Sequence, residues 1–233
     1  MARGGELVSA AGIEEAIRST FVDGEFGLNK LASTDPAIAR LARIHRGVIP
    51  VLVPDPFTAL IRSISAQQVN LSWASTIRRR LAERYGTRHE IGDTFVYSLE
   101  PDPLAVASVQ ELRALQLTTA KSIAVIDSAR AAQAGELGMT QLAALDDEAL
   151  IAHLTRLRGI GRWSAEWFLA RTLGRPRVVA GDLGVRKAVA RLYGTPVLPS
   201  EDEVRRLTAH WGPAATVVQA LALFDLAESA GAA

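Results

Sequence analysis

Apolar side chains recur along this chain at spacings of three and four residues, which is the period of an amphipathic α-helix. The segments 35–36 and 55–56 are both Asp-Pro, a capping residue followed by a first-turn proline, and Gly47 and Gly86 stand where helices are expected to stop. We predict helices at about 36–46, 56–67, 70–85, 103–116, 119–134, 147–157, 200–211 and 214–229.

Strand signals are few in this sequence. The β-branched segments at 48–53 and 178–179 are short and adjoin proline or glycine, so we interpret them as extended connectors. The residues before about 55 show only helical and connector patterns. The predicted fold class is therefore all-α, with no large N-terminal β domain.

Composition narrows the class of protein. Hydrophobic residues make up 48% of the 233 and charged residues 22%, as in ordinary globular proteins. No apolar run approaches the ~18 residues of a membrane span, and the N-terminus lacks the apolar core of a signal peptide. We therefore expect a cytoplasmic protein with no membrane partner. The absence of cysteine excludes disulfides, zinc–thiolate sites, iron–sulfur clusters and a cysteine nucleophile.

Positive charge is concentrated in one part of the chain. Between Arg158 and Arg191, eight basic residues stand against two acidic ones, an excess of +6 in a chain whose net charge is +1. Such asymmetry indicates a basic face for a polyanion, but arginines on solvated helix surfaces explain it equally well. Charge alone leaves both interpretations open.

The segment Leu-Arg-Gly-Ile-Gly-Arg-Trp-Ser-Ala at 157–165 is the most informative one. Gly159 and Gly161 flank one apolar residue between two predicted helices, which makes a tight turn whose backbone N–H groups can point outward together. With the dipole of the following helix, these groups would form an anion site suited to a DNA phosphate. By itself, a Gly-x-Gly pattern also fits an ordinary glycine-rich turn.

Taken with what surrounds it, this segment resembles the helix-hairpin-helix of the DNA glycosylase superfamily. A Gly/Pro-rich loop follows at 174–181, and Asp182 then opens a helix. Upstream, the segment 56–69 is similar to the first domain of this superfamily, so the resemblance spans roughly 35–225. The hairpin string Gly-Ile-Gly-Arg-Trp-Ser-Ala looks like that of the 3-methyladenine DNA glycosylase II branch.

The resemblance implies two helical lobes with the active cleft between them. The expected parts are a partly helical N-terminal segment at 1–34, a glycosylase core at 35–225 and a C-terminal tail at 226–233. Within the core, the central lobe would cover about 55–165, and the second lobe would combine 35–54 with 166–225. The implied protein is a monomer that acts on double-stranded DNA containing alkylated bases.

The activity implied by the resemblance is that of a monofunctional DNA glycosylase. It would hydrolyse the N-glycosidic bond of alkylated bases such as 3-methyladenine and 7-methylguanine and so initiate base excision repair. Superfamily members that also cleave the DNA backbone carry a lysine where Trp163 stands, and an indole cannot form the Schiff base. Two alternatives remain, a non-catalytic helix-hairpin-helix DNA-binding module and an unrelated helical interaction domain; neither requires Asp182.

Candidate residues for catalysis and base binding follow from the same resemblance. Asp182 would stabilise an oxocarbenium-like sugar and act as base toward water, and the N-terminus of its helix would favour the ionised form. Trp163 and Trp167, four residues apart on one helix face, and Phe224 are candidates for binding a flipped cationic base. The structural alternatives are a plain helix cap for Asp182 and core packing for the tryptophans.

Other residues are candidates for DNA contacts. Gln68 matches the position that fills the gap left by a flipped base, although it could equally cap its helix. Backbone N–H groups of Gly159 and Gly161, with the Ser164 hydroxyl, would hold a phosphate. No cofactor is required. By resemblance, a structural Na⁺ or K⁺ would be ligated by the backbone carbonyls of Thr155, Leu157 and Ile160.

The C-terminal helix departs from the family pattern. After Trp211 the chain lacks the second tryptophan and the arginine of the family motif, and the expected aromatic pair is Leu223-Phe224. Fewer aromatic side chains imply a different or wider base pocket.

Overall fold

The computed structural model describes residues 14, 17, 20–22 and 25–231. Much of the predicted segment 1–34 and the last residues of the predicted tail therefore lie outside the described residues. In chain order, the elements are α1 (Glu25–Ala32), α2 (Pro36–Ile44), α3 (Pro56–Ala66), α4 (Leu71–Tyr85), β1 (Thr87–Ile91), β2 (Thr94–Ser98), α5 (Pro101–Ala105), α6 (Val109–Ala114), α7 (Thr119–Gln133), α8 (Met139–Ala144), α9 (Asp147–Thr155), α10 (Arg162–Arg171), α11 (Leu183–Tyr193), α12 (Glu201–Thr208), a 3₁₀ helix (Ala209–Ala214) and α13 (Ala215–Gly231).

The chain divides into two compact units. One unit is Asp55–Leu173, and the other joins the described residues up to Pro54 with those from Gly174 onward. The break after Leu173 follows the end of α10. The expected lobe boundary at 165/166 would instead cut this helix, which continues without interruption to Arg171.

The unit Asp55–Leu173 is built around one apolar core. The predicted caps are present: Asp55 accepts a hydrogen bond from the Thr58 backbone N–H, and Asn70 accepts one from Trp73. The core draws on α3, α4, α5, α7, α9 and α10, and its fully buried side chains include Leu60, Ile64, Leu81, Leu104, Leu150, Leu154 and Leu169. Both helices of the hairpin therefore rest on the core of this unit.

Two features of this unit differ from the sequence prediction. The expected helix 103–116 is two short helices, because Ser108 and Glu111 form a capping box that starts a second one. The strands β1 and β2 form an antiparallel pair that the sequence analysis missed. Their side chains are largely exposed, so they lack the alternation of buried and exposed positions that marks a strand in a sequence. The fold is otherwise helical, as predicted.

The second unit is held together by packing of α13 against α11 and α2. Trp211 is buried, and its Nε1 donates a hydrogen bond to the Tyr193 hydroxyl at 2.8 Å. That hydroxyl donates in turn to Asp35 Oδ2 at 2.8 Å. The tryptophan of the C-terminal motif is thus part of the structural core. No helix in the described part of the chain is both long and apolar enough to span a bilayer.

Candidate functional site

The hairpin between α9 and α10 has two glycines with different roles. Gly159 has a φ of +78°, and a Cβ there would lie 2.6 Å from the Cβ of Ala124 on α7, so only glycine fits. Ile160 is buried and anchors the turn. Gly161 is the N-cap of α10 with a φ of −100° and no side-chain cap. Because nothing lies within 4 Å of a Cβ at Gly161, the backbone there is open to a ligand.

The loop after α3 contacts this hairpin through Gln67. The Gln67 Nε2 donates a hydrogen bond to the carbonyl oxygen of Gly159 at 2.7 Å and lies 3.5 Å from Ser164 Oγ. Ser164 is buried, so its hydroxyl is placed to support Gln67 rather than to face solvent. The next residue, Gln68, is exposed and has a left-handed φ of +54°, which is uncommon for a residue other than glycine.

The carbonyl groups proposed to bind a monovalent cation belong to the same turn. The Leu157 carbonyl oxygen accepts a hydrogen bond from the Ile160 N–H at 3.1 Å and retains a second lone pair. The Thr155 hydroxyl donates to the Ile151 carbonyl oxygen and so is turned back into its own helix. Across the part of the chain that the structure describes, no group of three or more His, Asp or Glu side chains could hold a metal ion.

Several of the basic residues between Arg158 and Arg191 form contacts within the protein. Arg162 makes a two-pronged ion pair with Glu148, at 2.9 and 3.2 Å. Arg191 pairs with Asp225 at 2.8 Å. These two ion pairs give part of the charge excess a structural role, which the sequence alone could not distinguish from a DNA-binding face.

In the other unit, the loop that precedes Asp182 is fixed to the last helix. Gln219 on α13 is buried, and its Oε1 accepts a hydrogen bond from the Val179 N–H at 2.7 Å. One turn earlier, the Thr216 hydroxyl donates to the Arg175 carbonyl oxygen and accepts from the Arg177 N–H. The backbone that leads to Asp182 is therefore held at several points.

Asp182 stands at the N-terminus of α11 and is half-buried. Its Oδ1 accepts a hydrogen bond from the Val185 N–H at 2.9 Å, as in a helix cap. A Cβ at Gly184 would lie 3.0 Å from this oxygen and 3.3 Å from Leu223 Cδ2. The Asp182 carboxylate and the Leu223 side chain of α13 thus both lie close to Gly184. Asp182 caps its helix, but it also lies beside an apolar side chain, which a plain helix cap does not require.

The two tryptophans of α10 are both half-buried. Trp167 contacts the guanidinium of Arg171, whose Cζ lies 5.9 Å from the ring centroid. Burial lowers the pKa of Arg171, and the positive charge of Arg62 lowers it further. The Trp167 ring therefore already contacts one cation.

Phe224 has a different neighbourhood from the adjacent Leu223. Its ring meets His45 edge-on, with 5.3 Å between centroids, and it is 42% exposed. His45 is itself buried and hydrogen-bonded to Asp225 at 3.1 Å. Leu223 therefore lies near the Asp182 carboxylate, whereas the Phe224 ring contacts His45.

Three residues of the site were missed or passed over by the sequence analysis: Gln67, Gln219 and Leu223. Gln219 carried a usable signal, because it is the polar interruption of the apolar run 217–224. Gln67 adjoins Gln68, which the sequence predicts to fill the gap left by a flipped base. Nothing in the sequence indicates which of the two glutamines turns inward. Leu223 could not be assigned because an exposed and a half-buried apolar residue look alike in a sequence.

Comparison with known proteins identifies DNA repair proteins as relatives. A family model described as HhH-GPD superfamily base excision DNA repair protein matches residues 61–214. A DNA-3-methyladenine glycosylase of Bacillus subtilis is 27% identical over 184 residues, which cover 78% of this chain and 61% of that protein. DNA-3-methyladenine glycosylase 2 of Escherichia coli is 34% identical over 136 residues, which cover 58% of this chain and 47% of that protein.

Solved structures of DNA glycosylases share this fold. The solved structure of a 3-methyladenine DNA glycosylase from Archaeoglobus fulgidus matches with a TM-score of 0.81 and 26% identity, over 93% of this chain and 76% of that one. The chain spans about half to three-fifths of the length of the two curated relatives.

Proposed function

The chain belongs to the HhH-GPD superfamily of base excision DNA repair proteins, and on that basis we propose that it is a monofunctional DNA glycosylase for alkylated bases. The proposal depends on the position of Asp182, whose half-buried carboxylate is fixed at a helix N-terminus beside Leu223. The matched region includes both this residue and the hairpin. The proposed substrates are 3-methyladenine, 7-methylguanine and related bases in double-stranded DNA, on which the protein acts as a monomer in the cytoplasm.

The proposed reaction is hydrolysis at the anomeric carbon. The bond between C1′ and the base breaks, its electron pair leaves with the base, and the sugar passes through an oxocarbenium-like state. The Asp182 carboxylate stabilises this positive charge and accepts a proton from the water that adds to C1′. Alkylation at a purine N3 or N7 gives the base a positive charge, which already weakens the bond that must break. Asp182 therefore needs no acid partner for the departing base.

The hairpin is proposed to hold the DNA backbone. The open N-terminus of α10 at Gly161 offers backbone N–H groups and the positive end of a ten-residue helix to a phosphate. Gly159 allows the tight turn. The Ser164 hydroxyl contacts Gln67, which is hydrogen-bonded to the turn. This arrangement binds a phosphate without reading sequence, as a repair enzyme that searches all DNA requires.

The carbonyl oxygens of Thr155, Leu157 and Ile160 suit a Na⁺ or K⁺ ion, because hard cations prefer oxygen ligands. When bound, the ion would add positive charge near the phosphate. The bond from Ile160 N–H to the Leu157 carbonyl oxygen, at 3.1 Å, would hold that ligand in place.

The base pocket is proposed to be lined by aromatic and apolar side chains. Trp163 and Trp167 offer electron-rich rings to a cationic base, and such contacts contribute about 0.5–2 kcal/mol. Leu223 adds an apolar surface beside the carboxylate. The assignment of Phe224 to this pocket stays a prediction, and its contact with His45 makes it a weaker candidate than Leu223.

Lyase activity is not expected. Trp163 stands where lyase members of the superfamily carry a lysine, and its indole has no amine that could attack C1′ and form a Schiff base. The expected product is therefore an abasic site in an uncut strand.

A duplex treated with a methylating agent tests the proposal. The wild-type protein should release free methylated base and leave abasic sites without strand breaks. Asp182→Asn keeps a cap oxygen for the Val185 N–H but loses the charge, so release should fall at least ~100-fold while DNA binding is retained. Asp146→Asn is the matched control, because Asp146 caps α9 in the same way, through the Ala149 N–H at 2.8 Å.

Two outcomes would contradict the proposal. Binding without release by the wild-type protein would favour a non-catalytic DNA-binding module. Normal release by the Asp182 variant would remove that carboxylate from the mechanism.

A further inference from the structure

Gln67 joins two segments that are 92 residues apart in the sequence. It is the C-cap residue of α3, with extended backbone angles, and its side-chain amide donates to the Gly159 carbonyl oxygen at 2.7 Å. The loop that carries the exposed Gln68 is therefore bonded to the turn that offers its backbone to a phosphate.

The bond from Gln67 fixes one particular peptide group. The carbonyl oxygen of Gly159 accepts from Gln67, and the N–H of Ile160, on the same peptide, donates to the Leu157 carbonyl oxygen at 3.1 Å. Both polar atoms of this peptide are thus engaged, and Ala124 leaves the turn no space to shift toward α7. The orientation of the next peptide, which ends in the Gly161 N–H, depends on this plane because only two torsions of Ile160 separate them.

The end of α3 is itself held in place. Lys121 Nζ on α7 donates to the Ser65 carbonyl oxygen at 3.1 Å, and Arg78 Nη1 on α4 lies 3.3 Å from the Ser65 hydroxyl. Burial lowers the pKa of both cations, because a positive charge that is partly removed from water is disfavoured. The backbone that carries Gln67 is therefore fixed, so its hydrogen bond can hold the Gly159 peptide in one orientation.

We propose that Gln67 is a positioning residue that sets the phosphate-binding geometry of the hairpin and, through the adjacent Gln68, aligns the intercalating loop with it. The inference rests on the proposed function, since it concerns how the same DNA is held. Gln67 need not touch DNA for this role. Its loss should weaken DNA engagement and leave the chemistry at Asp182 intact.

The test uses Gln67→Glu, which keeps the length of the side chain, and Gln67→Leu, whose side chain is one atom shorter; both lose the N–H donor. In single-turnover release of methylated base, the half-saturating protein concentration should rise roughly 3- to 10-fold, the effect of one lost hydrogen bond. The rate at saturation should stay within about twofold of wild type, because Gln67 acts on DNA binding rather than on the chemical step. A half-saturating concentration equal to that of wild type in both variants would overturn the inference.

Hydrogen exchange in the free protein supplies a second readout, which requires neither DNA nor catalysis. The Ile160 amide should exchange faster in both Gln67 variants, because its peptide has lost one of two bonds. In the matched control Gln68→Leu it should exchange as in wild type, since no hydrogen bond of the Gln68 side chain reaches the hairpin. Unchanged exchange at Ile160 in the Gln67 variants would also overturn the inference.

The two proposals fail in distinguishable ways. If the wild-type protein releases no base, the proposed function fails, whatever the Gln67 variants do. If the wild-type protein releases base and the Gln67 variants match it in half-saturation and in exchange, only the positioning role fails.

Discussion

The buried side chain of Gln219 accepts a hydrogen bond from the backbone N–H of Val179, 2.7 Å away and three residues before Asp182. This bond connects the last helix to the loop that ends at the candidate catalytic carboxylate. Because Val179 is fully buried, its N–H has no access to water if Gln219 is lost.

Replacing Gln219 by methionine should therefore destabilise the protein. Met has a similar length but cannot accept the bond from Val179, and a buried unsatisfied N–H costs about 1–3 kcal/mol of the free energy of unfolding. Thermal and denaturant unfolding would measure the loss. The control Gln110→Met lies on an exposed position of α6 and should change stability by less than about 0.5 kcal/mol. Equal stability of the two variants would show that the Gln219 bond contributes nothing.

The two hairpin glycines should respond differently to alanine. Gly159→Ala forces a Cβ to within 2.6 Å of Ala124 and a left-handed φ of +78°, so it should lose about 2–5 kcal/mol of unfolding free energy. Gly161→Ala meets no neighbour and should cost less than about 1 kcal/mol. Its methyl group should nevertheless weaken binding to duplex DNA, measured by fluorescence anisotropy. A Gly161 variant that binds as tightly as wild type would place the phosphate elsewhere.

Alanine substitutions of Leu223 and Phe224 should affect different properties, base release for the first and stability for the second. Leu223→Ala opens the apolar surface beside Asp182, and a lost apolar contact in a pocket typically costs roughly 10-fold or more in rate. Phe224→Ala removes the edge-on contact with His45, which is worth about 0.5–1.5 kcal/mol of stability. Base release should fall less in this second variant than in Leu223→Ala. The opposite order of effects on release would make Phe224 the stronger candidate for the base pocket.

Acid should remove a stabilising contribution of Asp225. The hydrogen bond from Arg191 holds the pKa of Asp225 below its ordinary value; burial acts in the opposite direction, and the bond from His45 adds to the lowering. A carboxyl group whose pKa is lower in the folded state stabilises the protein above its unfolded-state pKa of about 3.9, and this stabilisation is lost as the pH falls through the folded-state pKa.

Unfolding measured from pH 7 to pH 3 checks this linkage. Asp225→Asn should be less stable than wild type near neutral pH, and the difference should shrink below about pH 4, near the ordinary pKa of the group. Asp93→Asn, at the exposed turn between β1 and β2, is the control that removes a carboxylate elsewhere on the surface. A difference that stays constant down to pH 3 would contradict the linkage.

The sequence by itself determined the family and most of the helices. The comparisons confirm the resemblance to helix-hairpin-helix DNA glycosylases, which rested on the hairpin, on the loop and on Asp182. Helix positions followed from caps and apolar spacing, which act over a few residues and so are legible in a sequence. The exposed strands β1 and β2 were missed because their pairing buries no alternating face.

Only the tertiary structure decided which side chains support the site. Gln67 and Gln68 are identical in chemistry, yet one bonds to the hairpin and the other faces solvent, because the backbone turns left-handed between them. Leu223 and Phe224 likewise diverge to Asp182 and His45, since adjacent helical positions point about 100° apart. These assignments depend on contacts between residues far apart in the chain, and local sequence patterns carry no information about them.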